Sequence, residues 1–112
     1  MGAHVMTAEQ LRRRGIHGRR LADQLHRKKL HRILGDVYCD RLPTMLDKCR
    51  AVVLWREDAV LSHLTAAWLH GWSPEPDVID AYVSSEPGHA VPSWLHIHVA
   101  PFESYAADRV VL

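Results

Sequence analysis

The sequence predicts an α+β chain with an N-terminal winged helix-turn-helix, followed by helices packed on a small, mostly antiparallel sheet. Two short segments with helical apolar spacing flank a glycine-containing turn, the order typical of a helix-turn-helix. A β-hairpin pattern follows directly, in the position of a wing. Beyond residue 73, prolines separate short stretches with the alternation of strands.

The length of 112 residues suits one compact domain, or a small domain and part of a second. We predict a winged helix-turn-helix domain over 6–56 and an α/β segment over 57–112 that begins a longer C-terminal region. No apolar run approaches the ~20 residues of a membrane span, and the first residues lack the pattern of a secretory signal. Cys39 and Cys49 form no CxxC motif, which indicates reduced thiols in a cytoplasmic protein.

Capping residues and glycines predict the first two helices. Thr7 and Gln10 have the spacing of a capping box, so a helix is expected over 7–14, with Gly15 ending it. A second helix is predicted over 18–27. Its apolar residues recur at helical spacing and are expected to face inward: Leu21, Ala22 and Leu25.

A hairpin and a third helix are predicted next. Residues 28–34 and 37–39 have β character and flank a Gly-Asp turn, so they are expected to pair as two strands. After a proline, residues 44–55 show helical spacing, with one broad apolar face: Met45, Leu46, Cys49, Val52 and Val53.

The second half is predicted to contain one buried helix and a small sheet. Residues 59–70 are apolar on nearly every side, so we expect a buried helix that Asp58 caps and Gly71 ends. The strands predicted to pack against this helix are 78–83, 94–99 and 109–112.

The charge is strongly polarised along the chain. Residues 1–50 hold twelve Lys or Arg and five Asp or Glu, a net of +7, whereas residues 51–112 hold two and eight, a net of −6. A basic segment that also carries helix-turn-helix signals is typical of proteins that bind nucleic acid. Arg outnumbers Lys eleven to three, which favours bidentate contacts with phosphate and guanine.

The inward-facing leucines determine which residues of the second helix face outward. Arg20, Gln24 and Arg27 then form one stripe, and their side chains suit guanine and adenine edges in a major groove. The predicted DNA-contacting residues are Arg19, Arg20, Asp23, Gln24 and Arg27 on the second helix, Arg12, Arg13 and Arg14 on the first, and Lys28, Lys29, His31 and Arg32 beside the wing. No cofactor is predicted.

Other kinds of site have weaker support. His63 and His70 share a helix face, and His96 and His98 share a strand face, but the chain has no zinc motif. Neighbouring Ser62 and His63 do not form a catalytic pair in helical geometry, so we predict no enzyme, no metal site and no small-molecule substrate. The four tryptophans could stack on the bases of a single-stranded nucleic acid, but they lie in the acidic half of the chain, whose carboxylates would repel phosphate.

Two stretches resemble one family. "LRRRGIHGRRLADQLHRKKLHRILGDVYCD" resembles the N-terminal winged helix of the AbiEi-type antitoxins of type IV toxin–antitoxin systems, and "AVLSHLTAAWLHGW" is similar to their downstream motif AVLSHxTAAxLHG. In the first stretch the matching residues are Leu11, Gly15, Ile16, Leu21, Leu25, Leu30, Arg32, Ile33, Val37 and Tyr38. His17, Lys29 and Asp36 depart from the family pattern of Ser or Thr, Gly and Gly.

The resemblance implies a DNA-binding regulator of its own operon whose partner is a nucleotidyltransferase toxin. The expected function is therefore sequence-specific binding of double-stranded DNA, with a cognate toxin and a homodimer as candidate partners. The alternative is a protein-interaction module whose acidic half binds a basic partner such as a toxin, because residues 51–112 carry the net charge of −6.

Overall fold

The computed structural model describes residues 4–110 and 112, and it confirms the α+β class. The chain divides between Trp55 and Arg56 into two compact units, here called the N-terminal and the C-terminal unit. Each unit contains one three-stranded sheet. No helix in this part of the chain is long and apolar enough to cross a bilayer.

Among the described residues, the N-terminal unit contains three helices and three strands, and the C-terminal unit contains one helix, three strands and two 3₁₀ turns. The N-terminal unit contains β1 (Val5–Thr7), α1 (Ala8–Arg13), α2 (Gly18–His26), β2 (His31–Leu34), β3 (Val37–Cys39) and α3 (Met45–Trp55). The C-terminal unit contains β4 (Val60–Leu61), α4 (His63–Leu69), β5 (Ile79–Val83), β6 (Leu95–Val99) and two short 3₁₀ turns (Phe102–Ser104 and Ala106–Asp108).

The N-terminal sheet has helices on both faces. Its strand order is β1-β3-β2, and both pairings are antiparallel. Tyr38 on β3 packs in a core cluster with residues of α1 and α2, whereas the sulfur of neighbouring Cys39 lies 3.8 Å from Asp47 of α3. Because successive strand residues point to opposite faces, α1 and α2 cover one face and α3 covers the other.

The first two helices form as their sequence signals predict. Thr7 accepts a hydrogen bond from the Gln10 amide at 3.2 Å, and the Gln10 side chain accepts one from the Thr7 amide at 2.9 Å. Both bonds of the predicted capping box are therefore present. Gly15 adopts a φ of +79° just beyond α1, a left-handed conformation that glycine adopts without steric cost.

Three details of the N-terminal unit differ from the prediction. The strand β1 was not predicted, because three residues that end in the helix cap Thr7 carry too little pattern to reveal their pairing with β3. Ala22 is exposed rather than inward-facing. The hairpin is confirmed, but β2 begins at His31, and residues 28–30 form a connection after α2.

The start of α3 contains a buried carboxylate. Asp47 is 1% exposed, although it lies in the predicted helix 44–55 outside the expected apolar face. Its carboxylate accepts two hydrogen bonds from the Arg41 guanidinium, at 2.9 and 3.0 Å, and one from the Thr44 amide at 3.0 Å. The Asp47 amide in turn donates to the Thr44 hydroxyl at 3.1 Å, so the pair caps α3 reciprocally.

The predicted buried helix over 59–70 is wrong in its first third, and within α4 only Thr65 is buried. Val60 and Leu61 pair with Tyr82 and Ala81 as strand β4, and α4 begins only after Ser62. Val60 and Leu61 are fully buried, so the strand satisfies the apolar pattern that had predicted a buried helix. Gly71 ends α4 as predicted, with a φ of +80°.

Asp58 does not cap α4. Its carboxylate instead accepts hydrogen bonds from the Arg56 guanidinium and from both the amide and the hydroxyl of Ser84. Burial raises the pKa of Asp58, but these donors outweigh that effect and lower the pKa to about 2. The carboxylate thereby joins the segment before β4 to the segment after β5.

The C-terminal sheet is mixed rather than mostly antiparallel. The pairing of β4 with β5 is antiparallel, but β5 and β6 are parallel, with Ile79 opposite Leu95 and Val83 opposite Val99. The predicted strands 78–83 and 94–99 are confirmed. Arg109, Val110 and Leu112 belong to no strand, so the strand predicted over 109–112 is wrong where it is described, and position 111 lies outside the described residues.

Candidate nucleic-acid interface

The basic face of the N-terminal unit begins on α1. Arg12, Arg13 and Arg14 are all exposed at the C-terminal end of this helix. Arg13 contacts Glu9 at 3.1 Å, one turn earlier, and this exposed i,i+4 pair contributes only a few tenths of a kcal/mol. Within residues 4–110, neither Arg12 nor Arg14 pairs with a carboxylate, so both guanidinium groups are available to a ligand.

The packing of α2 explains which of its residues face outward. Leu21 and Leu25 are half-buried and pack against the core cluster that contains Leu11 and Tyr38, as predicted. The opposite face is exposed and polar: Arg19, Arg20, Asp23 and Arg27. Gln24 is half-buried, so it is less open to a ligand than the sequence pattern indicated.

Two arginines of the predicted stripe already have contacts. The Arg27 Nε donates to Asp23 Oδ1 at 3.2 Å, and Arg20 Nη1 lies 3.4 Å from the carbonyl oxygen of Gly15. Both contacts are exposed and weak, so a phosphate or a base edge can displace them. Arg19 has no hydrogen bond or ion pair among the described residues, and it lies in the first turn of the helix.

The connection between α2 and β2 is also basic. Lys28 and Lys29 are exposed, whereas His31 is half-buried on the edge strand β2. Arg32 is exposed, but its Nη2 donates to the Tyr38 hydroxyl at 3.0 Å and its guanidinium carbon lies 5.4 Å from the Tyr38 ring centroid. Arg32 is therefore engaged with the protein itself.

The tip of the hairpin is held against the rest of the unit. The carbonyl of Asp36 accepts a hydrogen bond from the Ala8 amide at 2.8 Å, which ties the turn to the start of α1. Gly35 has a φ of +53°, and a Cβ at this position would lie 3.0 Å from Cδ1 of Trp55. The positive φ favours glycine here, and a Cβ would also require the indole of Trp55 to shift by a few tenths of an ångström.

Residues 8–29 concentrate positive charge. They hold eight Lys or Arg and two Asp or Glu, a net of +6. All eight cationic side chains are exposed: Arg12, Arg13, Arg14, Arg19, Arg20, Arg27, Lys28 and Lys29. Such a surface attracts a polyanion at long range and can release counterions from it on contact.

The C-terminal unit contains a separate cluster of imidazole and phenol rings. The His98 ring lies 4.7 Å from that of His63 and 5.3 Å from that of Tyr82 between centroids, and its Nε2 lies 2.9 Å from Asp80 Oδ1. His96 Nδ1 lies 3.9 Å from the same oxygen, so His96 and His98 share a strand face as predicted. Over the described residues, no three His, Cys, Asp or Glu side chains are arranged to hold a metal ion.

Comparison with known proteins adds no family. No family model matches this chain, and no curated protein that was compared with it is similar to it. The function is therefore inferred from the chain's own residues.

Proposed function

We propose that the N-terminal unit binds double-stranded DNA as a winged helix-turn-helix, with α2 entering the major groove. The protein would act in the cytoplasm as an antitoxin-type transcriptional regulator, as its resemblance to AbiEi-type antitoxins suggests. The observation that carries the proposal is the +6 charge of residues 8–29, all of whose cations are exposed on α1, α2 and the connection after α2.

The order of elements supports this assignment. A short helix, a turn closed by Gly15, a second helix and a hairpin follow one another within residues 8–39. In proteins of this kind the second helix lies in the major groove, where its N-terminal residues contact base edges. Arg19 and Arg20 occupy that position in α2.

The remaining cations of residues 8–29 are suited to positioning the protein on the phosphate backbone of the duplex. Arginines at the end of α1 and lysines after α2 flank the proposed recognition helix in sequence, so they are candidates for contacts with the phosphates on either side of the groove. Contacts of this type increase affinity without discriminating between sequences, and salt weakens them. Base discrimination is assigned to Arg19, Arg20, Gln24 and Arg27.

A second candidate function is protein binding by the C-terminal unit. Residues 56–112 hold two Arg and eight Asp or Glu, a net of −6. Two large apolar side chains on or next to α4 are also strongly exposed, namely Leu64 at 63% and Trp72 at 77%. These features favour a basic protein partner such as a toxin, and such binding is compatible with DNA binding by the other unit.

The proposal is tested with the double variant Arg19→Ala/Arg20→Ala. The probe is a fluorescent duplex that the wild-type protein selects from a randomised pool, and binding is followed by anisotropy. We expect the affinity to fall at least about tenfold, because each lost contact with a base or phosphate costs about 1–3 kcal/mol.

The control for the loss of an exposed charge elsewhere on the unit is the single variant Arg50→Ala. Arg50 is exposed on α3, on the other face of the sheet from α2, so its loss removes one positive charge without touching the proposed interface. An equal loss of affinity in both variants, or none in either, would contradict the assignment of α2 to the groove.

A further inference from the structure

We propose that, besides α2, the N-terminal unit contacts DNA through the α2–β2 connection, by means of Lys28 and Lys29. The tip of the hairpin does not contact the DNA. This inference rests on the proposed DNA binding. The ligand of the two ammonium groups is the phosphate backbone of the duplex beside the groove that α2 enters.

The backbone at Lys28 supports the assignment. Lys28 has a φ of +58°, in the left-handed region that disfavours residues with a Cβ. The turn is fixed by two hydrogen bonds, from the Lys28 amide to the Leu25 carbonyl at 3.1 Å and from the Lys29 amide to the Gln24 carbonyl at 2.9 Å. Glycine is the usual residue at such a helix end.

A lysine at this position therefore has a conformational cost that a glycine would avoid. Its side chain is exposed and forms no hydrogen bond or ion pair within residues 4–110, so no intramolecular contact offsets the cost. The C-cap of α2 already has a cation in Arg27, so a further cation is not needed to complement the helix dipole. A role for the Lys28 charge outside the molecule accounts for its presence.

The hairpin tip is poorly suited to the same role. Its turn has two residues, and its only ionisable side chain is Asp36, which would repel phosphate. The Asp36 carbonyl is bound to the Ala8 amide, and Gly35 lies against Trp55, so the tip is fixed to its own unit. Arg32, the nearest cation on β2, is held by Tyr38.

The experiment compares Lys28→Gln/Lys29→Gln with Asp36→Asn on a mixed-sequence duplex, with affinity measured over a range of salt concentrations. We expect the double variant to lower the slope of log affinity against log salt by about 1 for each lysine. The Asp36 variant should keep both the affinity and the slope of the wild type.

Each outcome decides between the alternatives. A wild-type slope in the lysine variant would show that Lys28 and Lys29 do not contact phosphate, and tighter binding by Asp36→Asn would place the hairpin tip at the DNA. Either result would overturn this inference while leaving the proposed function intact. Failure of the wild-type protein to bind any duplex would instead overturn the proposed function and this inference with it.

A second comparison isolates the backbone conformation. Lys28→Gly and Lys28→Gln remove the same charge, but only glycine relieves the left-handed strain. We expect both to lose the same DNA affinity, while the folding equilibrium constant of the glycine variant exceeds that of the glutamine variant about fivefold. Equal stability of the glycine and glutamine variants would refute the conformational cost. A third variant, Lys28→Arg, keeps the charge, so we expect it to keep the salt slope of the wild type.

Discussion

Replacing Asp47 by Ala is expected to lower the free energy of unfolding by about 3 kcal/mol. The substitution removes a fully buried carboxylate that Arg41 binds through two hydrogen bonds, and it leaves the Thr44 amide without its acceptor. It also removes half of the reciprocal cap of α3. Urea unfolding followed by circular dichroism measures the change.

Asp40→Ala is the matched control for this prediction. The side chains of Asp40 and its partner His4 are both about half-exposed, and Asp40 Oδ1 lies 2.8 Å from His4 Nδ1. An exposed pair of this kind contributes at most about 1 kcal/mol. A loss at Asp47 no greater than that at Asp40 would show that the contacts of the buried Asp47 carboxylate do not stabilise the unit.

The same carboxylate gives the unfolding free energy a defined dependence on pH. Burial raises the pKa of Asp47, but hydrogen bonds from Arg41 and Thr44 outweigh it and lower the pKa from 3.8 to about 2. A lowered pKa means that the stabilisation is complete above pH 3.8 and is lost as the pH falls towards 2. Asp47→Ala should therefore flatten this part of the acid-unfolding curve.

Leu11→Ala is expected to destabilise the N-terminal unit by about 2–5 kcal/mol. Leu11 is fully buried at the centre of the cluster that joins α1 and α2 to the sheet, together with Met6, Leu30 and Tyr38. Its truncation leaves a cavity beneath both proposed DNA-contacting helices. We therefore expect a lower urea midpoint and also weaker DNA binding at temperatures where the variant begins to unfold.

Leu42→Ala serves as the control for the core. Leu42 is 77% exposed, so its truncation should change the unfolding free energy by less than about 0.5 kcal/mol. Similar effects of the two substitutions would mean that Leu11 does not hold the helices to the sheet.

Local signals in the sequence predicted most of the N-terminal unit. The Thr7 capping box, the left-handed Gly15 and the two-residue turn of the hairpin act between residues that are near in sequence, so their patterns are visible without the fold. Leu21 and Leu25 likewise gave the inward face of α2 correctly. Ala22 was misplaced because alanine tolerates either side of a helix.

Long-range pairing accounts for most of what the sequence did not predict. Strand β1 and the segment Val60–Leu61 become strands only because β3 and β5 offer partners at the required register. The burial of Asp47 depends on Arg41, which approaches from the segment before α3. The start of this helix was predicted correctly, and the Thr44-x-x-Asp47 capping-box spacing in the sequence could also have indicated that the Asp47 side chain is engaged there.

The candidate interface was predictable in composition but not in detail. Exposure of the arginines followed from charge and helical spacing. The engagement of Arg32 by Tyr38, the pairing of Arg27 with Asp23 and the left-handed Lys28 depend on side-chain positions and backbone angles that spacing does not determine.

The most direct test of DNA binding through α2 is to map amide chemical shifts of the whole chain during titration with the selected duplex. We predict that the largest changes fall on residues 12–29, which include the end of α1, all of α2 and the basic connection after it. Changes confined to residues 56–112, or no changes at all, would contradict the account.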